Sequence, residues 1–426
     1  MESQIMTLAK ACITVFISLS FCHWIRKHVP AGTKRLLSIL PIICLFLFIP
    51  LNFSSVHITG TTGFFFAWLA NFKLLLFAFD KGPLSFDPSI SLPRFVALAC
   101  LPIKITPQHP PPNHSSHRSK WGTNPSSITH QNGENESLDP SKGYKKSSHF
   151  EANPTSITHQ NEGKAPLAPS KGSKSSHFET NPSSKTPITK NAQSKKNPST
   201  TILQYAIKTI LLAVMVKAYD YSDHIHPKVI LGMYCFHIYF MLELILAIVA
   251  AIARSMLGLE LEPQFNNPIL STSLQDFWGK RWNLMVTSIL RPTVYLPIME
   301  AAKGVVGPKW APLPAVFGTF VVSGMMHEVI LYYMGRMGPT FKMMGFFVLH
   351  GVCLMVEMVL KKAFATARWR LPRWVSGPLT AGFVAVTCFW LFLPEFIRCG
   401  IDVKAFEEYA DLGALVQIIG SWIIKN

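Results

Sequence analysis

Residues 321–331 read Val-Val-Ser-Gly-Met-Met-His-Glu-Val-Ile-Leu, with a histidine at position 327. They belong to an apolar run from residue 314 to 334, and a helix of roughly 20 such residues is long enough to cross a bilayer. His327 and Glu328 therefore lie at membrane depth, where ionisable groups are costly, usually face the protein interior and often belong to a functional site. The alternative is a packing histidine bonded to a backbone carbonyl. The run predicts a membrane protein with a site at His327.

Composition and charge support a membrane protein. Only 15% of the 426 residues are charged, against about 25% in typical soluble domains, and the mean hydropathy is +0.26. The net charge of +17 would suit a nucleic-acid partner, but 13 Lys and Arg against 6 Asp and Glu fall in residues 104–200. Most of the remaining excess lies in short loops beside apolar runs, as the positive-inside rule expects. We therefore predict no nucleic-acid binding.

Seven further apolar runs are long enough, or nearly so, to span a membrane: residues 11–24, 36–53, 63–79, 202–218, 229–253, 343–360 and 374–393. Residues 284–299 are interrupted by Arg291-Pro292 and by Pro297, which predicts a broken or re-entrant helix. Residues 95–103 are too short to span a membrane and suit an interfacial or buried helix, and residues 412–424 suit an interfacial helix. The predicted fold class is an all-α polytopic membrane protein with about eight transmembrane helices plus re-entrant and interfacial helices.

Several polar residues interrupt these runs. Asn71 and Lys73 are expected to face other helices or to extend towards an interface. His237 and Glu243 are six residues apart, about 240° around a helix, so they are expected to occupy separate polar packing positions.

A low-complexity segment divides the chain into three regions. Residues 1–103 form an N-terminal transmembrane region, residues 104–200 an insert, and residues 201–426 a catalytic transmembrane region. The insert is rich in Pro, Ser, Asn, Lys and His and has almost no apolar periodicity, which predicts a disordered loop. It repeats itself with a period of 28 or 29 residues, which suggests a tandem expansion within the loop. Loop charges predict that it lies in the cytosol.

The familiar hydrolytic and nucleotide-binding motifs are missing. Position 331 is Leu331, so His327-Glu328 does not begin the H-E-x-x-H motif of zinc enzymes, and no metal site is predicted. The chain has no G-x-S-x-G, no P-loop and no G-x-G-x-x-G. No histidine is followed five positions later by aspartate, so the H-x-x-x-x-D pattern of soluble acyltransferases is missing too.

A second polar segment precedes His327. Residues 273–283 read Ser-Leu-Gln-Asp-Phe-Trp-Gly-Lys-Arg-Trp-Asn, and we call this segment the polar island. A histidine at membrane depth suits proton abstraction from a lipid-soluble alcohol. The Asn283 amide is a candidate donor to an oxyanion, and Lys280 and Arg281 are placed to contact a polyanionic carrier such as coenzyme A. Ordinary positive-inside anchoring accounts for the same two cations equally well.

The polar island, with His327 44 residues after Asn283, resembles the membrane-bound O-acyltransferase superfamily and most closely its plant wax synthase branch. Four other stretches resemble the same branch: residues 68–77, 259–265, 290–295 and 346–357. The branch contains long-chain-alcohol and sterol acyltransferases. The resemblance implies many helices around a reaction chamber, a multi-pass protein of the endoplasmic reticulum membrane, and acyl-CoA as co-substrate without a further cofactor.

The resemblance also implies roles for individual residues. The family places the base that acts on the acceptor alcohol at His327, and its active-site partner at Asn283, after Trp282. Asp276-Phe277-Trp278 resembles the D-W-W core of the acyl-CoA-associated motif of sterol and diacylglycerol acyltransferases. This chain departs from that motif at Phe277 and at Gly279, where the motif has tryptophan and asparagine.

Three hypotheses follow. The first is transfer of a fatty acyl group from acyl-CoA to a long-chain fatty alcohol, giving a wax ester, with a sterol as the alternative acceptor. The second is a transporter, which would need paired broken helices, whereas only residues 284–299 read as one. The third is a scaffold or inactive homologue whose insert recruits partners, although such a protein has no need to keep both His327 and Asn283. Residue patterns do not predict an oligomeric state.

Overall fold

The computed structural model describes residues 2–101, 198–257, 264–364 and 371–425. All regular secondary structure in these ranges is helical. In order, the helices are α1 (Glu2–His28), α2 (Thr33–Phe48), α3 (Val56–Thr62), α4 (Asn71–Ala78), α5 (Leu92–Cys100), α6 (Pro198–Ala218), α7 (Pro227–Leu257), α8 (Leu274–Asp276), α9 (Leu284–Leu290), α10 (Leu296–Trp310), α11 (Pro312–Gly335), α12 (Lys342–Ala363), α13 (Arg373–Thr387), α14 (Leu393–Arg398) and α15 (Ile401–Lys425). Shorter π-helical and 3₁₀ turns join several of them. The predicted insert lies outside the described residues except for 198–200, which begin α6.

Eight helical stretches in these ranges are long and apolar enough to cross a membrane. They are Gln4–His28, Thr33–Asn52, Val56–Ala78, Ile202–His224, Pro227–Ser255, Pro312–Gly335, Lys342–Ala363 and Arg373–Arg398. Large apolar side chains such as Ile210 and Val214 on α6 point outwards, as the lipid-facing surface of a membrane protein requires. The predicted fold class is confirmed.

The N-terminal helices bury the polar residues that interrupt their apolar runs. Lys73 is fully buried, and its Nζ donates to the carbonyls of Leu98 and Leu101 at 2.7 and 2.6 Å, at the C-terminal end of α5. The Asn71 amide donates to the Ile43 carbonyl on α2 at 3.0 Å. Both side chains therefore face other helices, as predicted, and Lys73 helps to hold the short helix α5.

The predicted break near Arg291 is a π-helical turn. Residues Arg291–Tyr295 form this turn between α9 and α10, and Pro292 at its start has no N–H for the helical ladder. Helical structure then continues to Trp310, with a change of direction at Gly307, where φ is +78°. The predicted break is therefore wrong in position: helical structure is continuous through Arg291-Pro292 and Pro297, it changes direction at Gly307, and it ends eleven residues beyond the predicted end at residue 299.

Helices α11 and α12 pack closely because two glycines face the partner helix. A Cβ on Gly324 would approach the Met344 backbone within 3.2 Å, and one on Gly351 would come within 2.9 Å of the Phe320 side chain. Small residues of this kind let membrane helices approach at short distance. The close contact holds His327 of α11 against the aromatic side chains of α12.

The two polar residues of α7 have different partners, as predicted. Glu243 accepts a hydrogen bond from Lys208 of α6, whereas His237 bonds to Tyr409 of α15 at 3.0 Å. The first pair joins two adjacent spans, and the second lies at the edge of a cavity described below.

Candidate active site

His327 lies on α11 with one ring nitrogen bonded and the other open. Its Nδ1 is 2.7 Å from the Ser323 carbonyl of the preceding turn. Because a carbonyl oxygen can only accept, Nδ1 carries the proton, and in the neutral imidazole Nε2 is left with a free lone pair. No hydrogen bond to Nε2 is found among the described residues. The backbone bond expected of a packing histidine is therefore present, and it prepares the other nitrogen to accept a proton.

Aromatic rings surround the imidazole. The His327 ring centroid is 4.2 Å from that of Phe347 on α12, and Trp68 meets the ring edge-on at 5.1 Å. Trp68 is only 2% exposed, and its indole N–H has no acceptor among the described residues. Phe392 closes a third side, with a centroid distance of 6.2 Å. His327 is thus held in an apolar environment that contains one unused hydrogen-bond donor.

The polar island folds into two short helical pieces. The Ser273 hydroxyl accepts from the Asp276 N–H at 3.1 Å and so begins α8, and a π-helical turn, Phe277–Arg281, follows. Trp282 is extended, and Asn283 adopts a left-handed conformation with φ of 36°. The Asn283 Oδ1 accepts from the Val286 N–H at 3.4 Å and begins α9. Because Oδ1 faces the backbone, the NH₂ end of the amide is the donor that remains, and it has no bonded partner in the described part of the chain.

Asp276 and Arg281 are bonded to each other within the island. The Arg281 Nε donates to the Asp276 carboxylate at 2.7 Å, and its NH1 donates to the carbonyls of Asn266 and Asn267 at 3.2 and 3.3 Å. Lys280, by contrast, is exposed. Of the two cations singled out in the sequence, Arg281 holds the island together, and Lys280 is the one that faces outwards.

An aromatic network connects the island with His327. Trp278 packs edge-on against Phe320 at 5.5 Å and lies 5.9 Å from Phe347, which also contacts His327. Trp282 lies 6.4 Å from Trp278, measured between ring centroids. The structure therefore brings Trp278 and Trp282 into the same aromatic layer as His327. No hydrogen bond joins Asn283 to His327 among the described residues.

His350 is a residue that sequence reasoning missed. The Trp278 indole N–H donates to His350 Nδ1 at 3.1 Å. Because the indole can only donate, His350 must carry its proton on Nε2, which lies 2.8 Å from the Thr387 hydroxyl. Thr387 in turn donates to the Phe383 carbonyl at 2.8 Å. His350 is fully buried and joins the island, α12 and α13. Its only signal in the sequence was its place in the stretch 346–357.

Two carboxylates fix both ends of α12. Glu328, beside His327, is 6% exposed and accepts from the Met344 N–H at 3.0 Å, in the first turn of α12. Near the other end, Glu357 accepts from the Leu274 N–H of the island at 2.8 Å and pairs with Lys361. Negative charge beside exposed N–H groups at a helix start is favourable. The carboxylate next to His327 is thus engaged in holding helices together.

No group of three or more His, Cys, Asp or Glu side chains in the described ranges is placed to hold a metal ion. The arrangement offers instead a neutral histidine with an open nitrogen, an amide donor and a polar island joined to the histidine through aromatic rings. Such groups suit proton transfer and stabilisation of an oxyanion.

The chain is similar in sequence to known proteins. A model of the membrane bound O-acyl transferase family matches residues 261–349, which include the polar island and His327. Acyl-CoA–sterol O-acyltransferase 1 of Arabidopsis thaliana is 44% identical over 406 residues, covering 95% of this chain and 94% of that protein. Long-chain-alcohol O-fatty-acyltransferase of Simmondsia chinensis is 37% identical over 409 residues, covering 96% and 94%. A probable long-chain-alcohol O-fatty-acyltransferase of Arabidopsis thaliana is 37% identical over 410 residues, covering 96% of both chains. Similarity of this extent to such enzymes confirms the predicted resemblance, and the chain belongs to the membrane-bound O-acyltransferase family.

Proposed function

We propose that the protein transfers a long-chain fatty acyl group from acyl-CoA to the hydroxyl of a lipid alcohol, with His327 as the general base. The observation that carries this proposal is the bond between His327 Nδ1 and the Ser323 carbonyl. It fixes the tautomer in which Nε2 can accept a proton. General bases of this kind contribute about 10²- to 10⁴-fold to a rate.

The chemistry needs one proton acceptor. The alcohol gives its proton to His327 Nε2 as its oxygen forms a bond to the thioester carbonyl carbon. The carbon–sulfur bond of the resulting tetrahedral intermediate then breaks. The CoA sulfur leaves and takes the proton back from the imidazolium, so the products are an ester and CoA thiol and the histidine is neutral again.

Asn283 is the proposed donor to the oxyanion. Its amide oxygen is bonded to the Val286 N–H, so its NH₂ group is the end that can donate. An aligned donor to a developing oxyanion lowers the barrier by about 3 to 4 kcal/mol in other enzymes. The left-handed backbone at Asn283 places this amide at the junction between the island and α9.

The polar island is the proposed contact region for acyl-CoA. Lys280 is exposed and suits a CoA phosphate. Asp276 and Arg281 support the site by holding the fold of the island, since their polar groups are already bonded there. Trp278 and Trp282 connect the island with the aromatic residues around His327 through ring contacts. Acyl-CoA would then approach from the cytosolic side, the side predicted from loop charges.

A long-chain fatty alcohol is the acceptor named for two of the compared relatives, and it is the acceptor that the sequence favoured. A sterol is the second candidate. It is supported by the relative named as a sterol acyltransferase, which is 44% identical to this chain, against 37% for the other two. Both acceptors are membrane-soluble alcohols and need the same base. We place the reaction in the endoplasmic reticulum membrane.

The test is an acyl-transfer assay on membranes from cells that express the chain. Labelled long-chain acyl-CoA is offered with a fatty alcohol or with a sterol, and the esters are separated. We expect His327→Ala to lower the rate at least 100-fold. His23→Ala is the matched control, since His23 of α1 bonds the Ile90 carbonyl and is not one of the proposed site residues. Full activity of folded His327→Ala protein would refute the mechanism, and no ester from either acceptor would refute the function and favour a transporter or scaffold.

A further inference from the structure

A cavity of about 240 Å³ lies among α3, α7, α14 and α15 and is separate from the candidate active site. Its walls are mostly apolar and include Phe64, Phe65, Met241, Leu242, Leu246 and Phe396. His327 is not among the residues that line it. Ligand sites in proteins are usually apolar cavities of this kind with a few well-placed polar groups.

The inner end of the cavity adjoins the active site. Phe64 meets Trp68 edge-on at 5.6 Å, and Trp68 contacts His327. Phe65 and Leu246 belong to the same apolar cluster as Trp282, which precedes Asn283. One layer of aromatic side chains therefore separates the cavity from both proposed catalytic residues.

The opposite end of the cavity has a polar corner, in which His57, His237 and Tyr409 are joined by hydrogen bonds, and Asp402 also lines the cavity. The Tyr409 hydroxyl is 3.0 Å from Nε2 of both histidines. His57 Nδ1 faces Glu408, which also accepts from Ser55 and from the Val56 N–H. Burial alone would raise the pKa of Glu408, but these hydrogen bonds outweigh it and lower the pKa, so Glu408 is a carboxylate.

The hydrogen bonds of the corner leave one side of His237 without a partner. His57 Nδ1 donates to Glu408, so with neutral His57 the Tyr409 hydroxyl donates to His57 Nε2 and accepts from His237 Nε2. His237 Nδ1 is then an acceptor, and it is buried without a partner among the described residues, as is Asp402 Oδ1. A buried polar atom of this kind is destabilising unless a partner reaches it. Both atoms call for a ligand that donates a hydrogen bond.

The corner also lies at the depth where a lipid alcohol carries its hydroxyl. His57 is the second residue of a membrane span, and the inner end of the cavity lies towards the middle of that span. From His57 to Trp68 is eleven helical residues, about 16 Å along the axis. A lipid that enters from the leaflet thus finds a polar head site near the membrane boundary and an apolar wall for its tail. A hydroxyl in this corner is too far from His327 to react.

We propose that this cavity binds an uncharged lipid alcohol whose hydroxyl donates to the polar corner and whose tail occupies the apolar inner end, at a site distinct from that of acyl transfer. The apolar walls disfavour a phosphate head group, and none of the residues that line the cavity is Lys or Arg. Linear fatty alcohols and sterols both fit this site, since each carries a single hydroxyl on an otherwise apolar molecule. The proposal does not rest on the function proposed above, because binding is measured without turnover.

Photolabelling tests the proposal in membranes that contain the full chain with the His327→Ala change. A fatty alcohol and a sterol, each with a diazirine in the apolar part, are used below saturation, and labelled peptides are identified by mass spectrometry. We expect label from at least one probe on Met241, Leu242 or Phe65. Tyr409→Phe or His237→Phe should reduce it about fivefold, the ratio for roughly 1 kcal/mol. Tyr332→Phe, which changes an exposed tyrosine on α11, should leave it unchanged.

Leu242→Trp provides a second variant that leaves the polar corner intact. It fills the inner end of the cavity and should abolish the label while the thermal midpoint of the protein stays near that of the parent. Label that is equally strong with a diazirine hydrocarbon lacking the hydroxyl would overturn the proposal. So would stronger labelling by a long-chain amine probe, or label that is insensitive to Tyr409→Phe and His237→Phe in folded protein.

Discussion

The hydrogen bond between Trp278 and His350 gives the most direct test of how the polar island is held against the active site. His350→Phe keeps an aromatic ring but removes both nitrogens, so the buried indole N–H loses its acceptor. Thr387 still donates to the Phe383 carbonyl, so it keeps a partner. Trp278→Phe removes the donor instead and leaves His350 Nδ1 without one. The double variant removes both halves of the bond at once.

The expected magnitude follows from the cost of an unsatisfied buried group. In water-soluble proteins such a group costs about 1 to 3 kcal/mol. In membrane proteins double-mutant cycles give smaller couplings, about 0.6 kcal/mol on average and up to about 1.7, because the unfolded state in the bilayer also finds partners. Since His350 is fully buried, we expect a coupling of about 1 kcal/mol. The double variant should therefore be more stable, by about that amount, than the sum of the two single losses predicts.

The assay is the free energy of unfolding in mixed micelles for the parent, the two single variants and the double variant. A catalytic readout accompanies it: Trp278 contacts Phe347, which contacts His327, so His350→Phe should also lower kcat by about tenfold, since small displacements of reacting groups are costly. Tyr332→Phe is the control and should change neither quantity. Losses that add within about 0.3 to 0.5 kcal/mol, the spread for independent sites, would refute the coupling. An unchanged kcat would refute the positioning role.

Three further predictions concern other residues. Asn283→Gly keeps the left-handed backbone and removes the amide, so it should lower kcat by about 10²- to 10³-fold, as far as Asn283→Ala does; a near-normal rate for the glycine variant would mean that the backbone and not the amide matters. Lys280→Gln should raise the KM for acyl-CoA several-fold and weaken its salt dependence without changing stability, whereas equal KM values at low salt would exclude Lys280 from the contact. Lys208→Leu should destabilise the protein by about 3 kcal/mol because it leaves Glu243 without its partner, and adding Glu243→Leu should restore most of that loss; a double variant less stable than Lys208→Leu would contradict this view of the pair.

The transmembrane helices were predictable because the property that defines them is local. A bilayer requires about 20 apolar residues per helix, so each span can be recognised without knowledge of its neighbours, and all eight were found. The helix ends were less predictable. Helical structure continues beyond residue 299 and changes direction at Gly307, which adopts a positive φ, a conformation that hydropathy does not report. Helix α15 begins at Ile401, eleven residues before the apolar run recognised at its end.

The candidate site could be predicted from the sequence only where a single residue stands out by itself. His327 stands out because an ionisable side chain within an apolar span is costly and usually marks a functional site, and Asn283 came from its place in a recognised motif. The contact of His350 with the polar island joins residues that are separated by 72 positions in the sequence. The pairing of His57 with Glu408 joins residues that are separated by 351 positions. Nothing in a single sequence indicates which distant residues meet. Arg281 shows the converse, because a cation beside a predicted binding motif is bonded to Asp276 inside the fold.

Helix α12 contacts both the polar island and the turn of α11 that carries His327. Glu328 bonds the first turn of α12 from the residue next to His327, while Glu357 near the other end of α12 bonds the first turn of the island. Between them, His350 holds the indole of Trp278, and Phe347 packs on the His327 ring. Glu357 and His350 of α12 thus contact the polar island, and Phe347 of α12 contacts His327. A shift of the island therefore changes the surroundings of His327 through α12, even though no hydrogen bond joins the two directly among the described residues. The proposed acyl-CoA contact and the proposed base are thus parts of one packed unit. A substitution that displaces either of them is expected to alter both acyl-CoA binding and catalysis.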